Sequence, residues 1–531
     1  MKNKIILAVM VMTLISCSDF LDINTDPNNP TTASLNTILP YAQATMFGSL
    51  GFGTAGISES LAVYAHQTVQ RGDQDDYNMT ANEFSLASCW NELYSVALPD
   101  INQMIKQGAA EGRLAYSGIG KILKAQIFSL MVDMWGDIPY SESGDPVLYK
   151  FPHFDDDAVI YADLFTLIES GIADLNAGGA PPGSDDIIYG GDLDKWKAYA
   201  NSLMLNMYNK VRLTDLYDAT KVSELLSSEL ISSLNGDFEL PYNNSLTPEN
   251  RNPAFIREYA QGNPQYYISP YFYLLMKGEQ ACQNSLLTGI PDPRLPYYFY
   301  NQLTEGEDPQ NPTSYTDGNF LSIWFGSVDR DPNEGFDQNI SQTVCGLYPL
   351  GGAFDDHAGR NADNDSGLRG AAAQRILTAA GVDYIRAELA LTKGTGEDGR
   401  ELLASAIGKS FAKVNAMAVV AGVPLIPNAG VDGYINAVLA IYDAGDDELK
   451  LEVIMTEKWI QEFGFAIEAY SDIRRTGYPQ VCDPAQDLNE FSIQTNPYPV
   501  SLYYSANDIT NNQNSPGQRN TFLDKVFWDA N

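Results

Sequence analysis

From about residue 35 onward, apolar positions recur every three to four residues in block after block, the spacing of helices that bury one face. This period predicts helices over 35–47 and 59–69, and another carrying Trp90, Tyr94, Ile101 and Ile105. Ile119, Ile122, Leu123, Ile127, Leu130, Met131 and Met134 continue it, until Gly136 and Pro139 forbid further helix. Asp155-Asp156-Asp157 supplies helix-start carboxylates to a block through Ile160, Leu164, Phe165, Ile168 and Ile172. A Gly/Pro/Asp loop over 178–191 precedes a helix over 193–211. Helical period returns over 369–391, 400–419, 431–442 and 448–469, and everything after about Tyr478 reads as loop. Helix pairs in such succession predict a mainly α, tetratricopeptide-like stack, an α-α superhelix, although the full tetratricopeptide consensus is absent.

Residues 237–365 break the pattern. They are dense in Pro, Gly, Asn, Asp and aromatics, as in Asn263-Pro264-Gln265-Tyr266-Tyr267 and Pro291-Asp292-Pro293-Arg294. A stretch this long without period is an elaborated, functional surface more often than a linker. No linker divides the body. The expected organisation is one domain over 35–531, with scaffold at 35–236 and 366–478, an irregular elaboration at 237–365 and a loop-rich tail at 479–531.

The N-terminus changes the picture. Lys2 and Lys4 precede an apolar run over 5–15, then Ser16-Cys17. This is the layout of a secretory signal, and the run is about half of what a bilayer span needs. A small residue directly before cysteine is the bacterial lipoprotein cleavage pattern, so Cys17 is expected to be acylated and to become the first residue of an exported, membrane-tethered protein. Residues 1–16 are then the signal peptide and 17–34, rich in Asn, Asp and Pro, the tether. Loss of Lys2 and Lys4 takes the net charge from −36 to −38. Such a body repels nucleic acid and anionic lipid, and no nucleic-acid partner is expected.

Cys89, Cys282, Cys345 and Cys482 lie far apart with no CxxC spacing, which argues against a zinc site. Mostly buried free thiols are expected, with room for one disulfide. Only three histidines are present, His66, His153 and His357, and there is no HExxH, GxSxG or phosphate-binding loop. Sixty-eight acids make chance carboxylate pairs common, so no glycosidase can be read from them. The chain is expected not to be an enzyme. Asp363-Asn364-Asp365-Ser366-Gly367 departs from a calcium-binding EF-hand at Leu368 and Gln374 and reads as an Asx-rich turn. No cofactor or metal is expected. Trp135-Gly136-Asp137-Ile138-Pro139-Tyr140 reads as a helix stop, and Arg474-Arg475 as partners of Asp472, Glu468 or helix-end carbonyls.

Cys17 is followed by Phe20-Leu21-Asp22, the 135–140 ending closes a long helix, Gly191-Asp192-Leu193-Asp194-Lys195-Trp196 leads into Ala200-Asn201-Ser202-Leu203, and further on stand Asp292-Pro293-Arg294-Leu295, Glu457-Lys458-Trp459-Ile460 and the run from Glu468 to Pro479. Taken together, these stretches resemble the SusD/RagB family of outer-membrane lipoproteins, in its SusD-like subgroup. The family's Arg before a C-terminal Tyr-Pro is missing at Asn496-Pro497-Tyr498-Pro499, and its Gln before Lys-Trp is Glu457. The resemblance implies a tetratricopeptide-like scaffold with a ligand-binding elaboration, and lipid attachment to the outer face of the outer membrane. It also implies a SusC-type TonB-dependent transporter as partner and oligosaccharide as ligand. A peptide ligand, or a non-transport surface scaffold, are the alternatives.

The composition fits sugar capture. Aromatic rings cover the apolar C–H faces of sugars, and amides and carboxylates bind their hydroxyls. The chain has 31 Tyr and six Trp against 22 Phe, and the former two tolerate a wet surface. The candidate ligand-binding residues are Tyr266, Tyr267, Tyr297, Tyr300, Tyr315 and Trp324 of the elaboration. Tyr298 follows Tyr297 directly, so at least one of the two is expected in the core.

Overall fold

The computed structural model describes residues 33–530 except 54–55, 72–74, 76, 78, 80–82, 145–147, 312, 328–337, 360–361 and 483–495. Cys17, the signal and most of the tether lie outside the described residues. The principal helices are α1 (Leu35–Leu50), α2 (Ile57–Tyr64), α3 (Phe84–Glu92), α4 (Leu98–Ala110), α5 (Leu114–Trp135), α6 (Asp157–Ala177) and α7 (Leu193–Lys210). Within the elaboration lies α8 (Pro270–Lys277), and after it come α9 (Ala379–Lys393), α10 (Gly399–Ala421), α11 (Asn428–Ala444), α12 (Asp447–Gln461), α13 (Ala466–Thr476) and α14 (Ala506–Asn511). The chain is mainly helical, as its period predicts.

Helix α5 is the axis of the first half: from Ala115 to Trp135 almost every side chain is buried. It lies between α4 and α6. Glycines set the crossing with α6. A Cβ on Gly118 would stand 2.7 Å from the Gly171 carbonyl oxygen, and one on Gly171 would stand 3.0 Å from that of Gly118. Any larger residue would push the two backbones apart. The helix ends at Gly136, in left-handed backbone at φ +67. Asp156 caps α6 by accepting from the Val159 amide at 3.1 Å.

Three boundaries depart from the apolar period. The helix expected over 59–69 stops at Tyr64, because His66 takes left-handed backbone (φ 56). Thr68–Gln70 becomes strand β1, antiparallel to β3 (Tyr266–Ile268). The block over 369–391 opens with strand β8 (Gln374–Leu377), paired to β2 (Phe238–Leu240), and its helix begins only after Thr378, whose hydroxyl accepts from the Gly381 amide at 3.0 Å. The block over 448–469 is two helices, broken where Gly464 holds φ +99 against Pro349. Between α3 and α4 the helix runs on through one π turn, Leu93–Ala97. The wider turn falls where the ring of Pro99 would otherwise crowd the carbonyl four residues back.

The most specific sequence motifs are scaffold. Arg475 is buried and holds Glu388 (2.7 Å) and Asp472 (2.8 Å). Arg474 donates to the main-chain oxygens of Asp133 (2.6 Å) and Val500 (2.8 Å). Lys210 lies between Asp133 (2.6 Å) and Glu468 (2.7 Å), and Lys458 pairs with Asp472 and Glu462. Arg294 of the Asp-Pro-Arg loop is fully buried on Asp292 (2.6 Å), Ser410 (2.7 Å) and Glu457 (3.2 Å), which explains an acid at position 457. Asp137 accepts from the Asp157 amide at 3.0 Å, and Tyr140 packs edge-on to Phe128. The tail is bound to the same scaffold: Trp135 donates to the Tyr503 carbonyl at 2.8 Å and Trp528 to Asp133 at 2.9 Å.

Cys282 and Cys482 form a disulfide that joins the elaboration to the tail, while Cys89 and Cys345 are free and buried. A disulfide fits an oxidising, extracytoplasmic setting.

Candidate ligand-binding surface

The elaboration is built from short pieces pinned to the scaffold. Strand β3 pairs with β1, placing Tyr266 opposite Gln70. Strand β4 (Phe299–Tyr300) pairs with β7 (Val344–Cys345). Strands β5 (Tyr315–Asp317) and β6 (Phe320–Ser322) form a hairpin whose two-residue turn starts at Gly318, with φ +60, a conformation that favours glycine. Beneath it, Leu321 exchanges backbone and side-chain hydrogen bonds with Thr343 (3.1 and 3.0 Å), and the Ser322 hydroxyl donates to the Ile268 carbonyl at 2.5 Å.

The hairpin brings two of the six candidate residues together. The rings of Tyr315 and Trp324 meet edge to face, 5.0 Å apart, and both are half-buried, with part of each left to solvent. Tyr315 also meets Phe320 at 5.9 Å, and Phe320 stacks on Tyr273 at 3.8 Å. The Trp324 amide donates to the Ser314 hydroxyl at 3.2 Å. The next residue, Phe325, is a buried plug. It stacks on His66 at 4.5 Å and meets Tyr77 at 4.7 Å, and Tyr77 in turn meets Tyr498 of the tail at 5.3 Å. One residue thus faces outward while its neighbour locks the hairpin to two distant segments. Burial drives the His66 imidazole down to about 3, so the ring is neutral there.

The other candidates separate. Tyr300 is fully buried, and Tyr267 and Tyr297 are 4% and 3% exposed. Their rings are core, and they cannot form a platform. Tyr297 spends its hydroxyl on the Pro424 carbonyl at 2.5 Å, and Tyr298 is buried as well. Tyr266 is half-buried under the guanidinium of Arg257, at 5.4 Å. Burial also pushes the Tyr315 phenol up, so it stays a neutral donor.

Asp317, Lys277 and Glu279 carried no sequence signal. Asp317 accepts from the Tyr273 hydroxyl at 3.2 Å and from Lys277, which also reaches Glu279 at 2.9 Å. The acid beside the aromatic pair is therefore committed to two donors. The arrangement offers apolar ring faces and a fixed polar edge, groups suited to non-covalent recognition.

The matching family model is that of SusD-like proteins, described as starch-binding and associating with the outer membrane, and it spans residues 27–499. The chain belongs to this SusD/RagB family. Among solved structures, it is similar to a chitin-binding SusD homologue from Flavobacterium johnsoniae, with 19% identity, a TM-score of 0.67, and 93% of this chain and 99% of that one covered. It is also similar to a SusD-like protein of Bacteroides thetaiotaomicron, with 18% identity, a TM-score of 0.67, and 94% and 99% covered. A SusD-like protein from Bacteroidetes matches at 18% identity and a TM-score of 0.69, with 94% and 100% covered. No curated protein matches the chain. These likenesses establish the fold. Among the described residues, no helix is long and apolar enough to cross a membrane.

Proposed function

We propose that the protein is a non-catalytic surface lipoprotein that captures oligosaccharide and passes it to a SusC-type TonB-dependent transporter in the outer membrane. The observation that carries this reading is the half-open Tyr315–Trp324 pair with Asp317 and Lys277 at its edge, in a member of a family described as starch-binding. Tyr315 and Trp324 cover sugar ring faces, and the Asp317–Lys277 pair forms the polar edge beside them. Acylated Cys17 holds the body at the membrane through the 17–34 tether, and the lipid takes no part in recognition. The one domain over 35–531 then divides its labour, with helices as scaffold and the 237–365 elaboration as binding surface.

Screening the purified protein on a glycan array, with mixed peptides in parallel, tests the ligand class. Binding to one class of β- or α-linked glucan or chitin oligosaccharide is expected. Binding to peptides alone contradicts the reading. Cys17→Ala should leave binding unchanged in solution while uptake by cells falls, and affinity purification of the native protein should retrieve the transporter.

A further inference from the structure

A groove of about 470 Å³ lies far along the chain from the hairpin and shares no residue with it. Its volume is within the roughly 300–1,000 Å³ of small-ligand sites. One wall is the π turn, through Tyr94, with Trp90 and Asn91 just before it on α3. π turns inside helices recur at functional sites. The second wall is the loop after α5, through Glu142, Tyr149 and Phe151, and the third is α14, through Asp508 and Asn511.

The walls are tied to one another. The Tyr94 hydroxyl donates to the Pro139 carbonyl at 2.7 Å. Asn512 donates to the Pro152 carbonyl at 2.9 Å and Asn514 to that of Phe151 at 2.5 Å. Glu142 is held by the amide and imidazole of His153 at 2.9 and 3.0 Å. A pre-formed site loses little on binding. Within it, Tyr149 is exposed, and Asp508 Oδ2 has no hydrogen-bond donor among the described residues.

We infer that this groove is a second saccharide site, with Tyr149 and Phe151 against sugar faces and Asp508 and Asn511 on hydroxyls. The inference rests on the proposed glycan reading but not on the hairpin. Two acids against Lys150 disfavour an anionic ligand. Helix and loop walls offer no strand edge on which a peptide could pair. A neutral polyhydroxy ligand meets both conditions and gives Asp508 its missing donor.

The test is calorimetry with chitohexaose and maltohexaose on the full-length protein and three variants: Tyr315→Ala/Trp324→Ala, Tyr149→Ala/Asp508→Asn, and all four changes together. Tyr149 is a surface position and Asp508→Asn is isosteric, and circular dichroism checks the fold. The expected result is residual binding of one hexasaccharide in the hairpin variant, weakened at least tenfold when the groove changes are added. Complete loss in the hairpin variant, with no effect of the groove changes, overturns the second site and leaves the glycan reading standing. Absence of binding by the unaltered protein to either sugar, with none on the array, overturns both. Loss in the groove variant alone keeps the groove and moves the principal site away from the hairpin.

Discussion

Two regions hold most of the conspicuous polar and aromatic residues. In the helical stack, Lys210, Arg212, Arg475 and Lys458 face Asp133, Glu388, Asp472 and Glu468, all of them buried and paired with one another. On the elaboration, Tyr315 and Trp324 pack on each other and remain half-buried. The stack's buried charges are held by one another, so they fix geometry; the hairpin keeps ring surface exposed. Density of functional groups therefore marks the scaffold here, and exposed ring surface marks the proposed site.

That contrast predicts where a substitution acts. Removing Arg475 takes the shorter of two cationic partners from buried Glu388 and leaves Asp472 to Lys458 alone, and breaking a buried pair on one side costs about 3–5 kcal/mol. Denaturant unfolding of Arg475→Ala should show a loss of that size, with unchanged glycan affinity per folded molecule. Weaker binding by the folded fraction would break the distinction between stack and hairpin.

The disulfide crosses it. Cys282–Cys482 joins elaboration to tail across a sequence separation of 200, and cross-links of this kind contribute about 2–4 kcal/mol. Cys282→Ser/Cys482→Ser should unfold at correspondingly lower denaturant, and limited proteolysis should cut the elaboration before the stack.

His66 sharpens the contrast through pH. Its folded value of about 3 lies below its ordinary 6.5, so its contribution is complete above pH 6.5 and is lost as pH falls toward 3. Between pH 6.5 and about 5 this amounts to about 2 kcal/mol. Thermal unfolding of His66→Gln should depend less steeply on pH over that range. An unchanged slope would show that the plug under the hairpin does not sense the imidazole charge.

How much of this could be read from the chain follows the range of the interactions. The helices were legible because each carries its own period and often its own stop, as at Gly136. Strand β8 was not, because four residues beside a true helix are defined by β2, far away in sequence. The break at His66 was hidden because a left-handed histidine carries no signature such as glycine does. At the site, residue type was legible and exposure was not. Tyr300 and Tyr315 are alike in sequence, but Tyr300 pairs with Val344 inside the core, while Tyr315 stands on a hairpin and is only half-buried. Asp317 and Lys277, 40 positions apart, meet only in the fold.

The hairpin's role can be tested most directly by titrating the glycan that the array identifies into the unaltered protein and into Trp324→Ala, with unfolding monitored alongside. An aromatic anchor at a recognition surface is worth about 2 kcal/mol, so affinity should fall by about thirtyfold at unchanged stability. Undiminished affinity in a fully folded Trp324→Ala and Tyr315→Ala pair would contradict the assignment of the hairpin as the site.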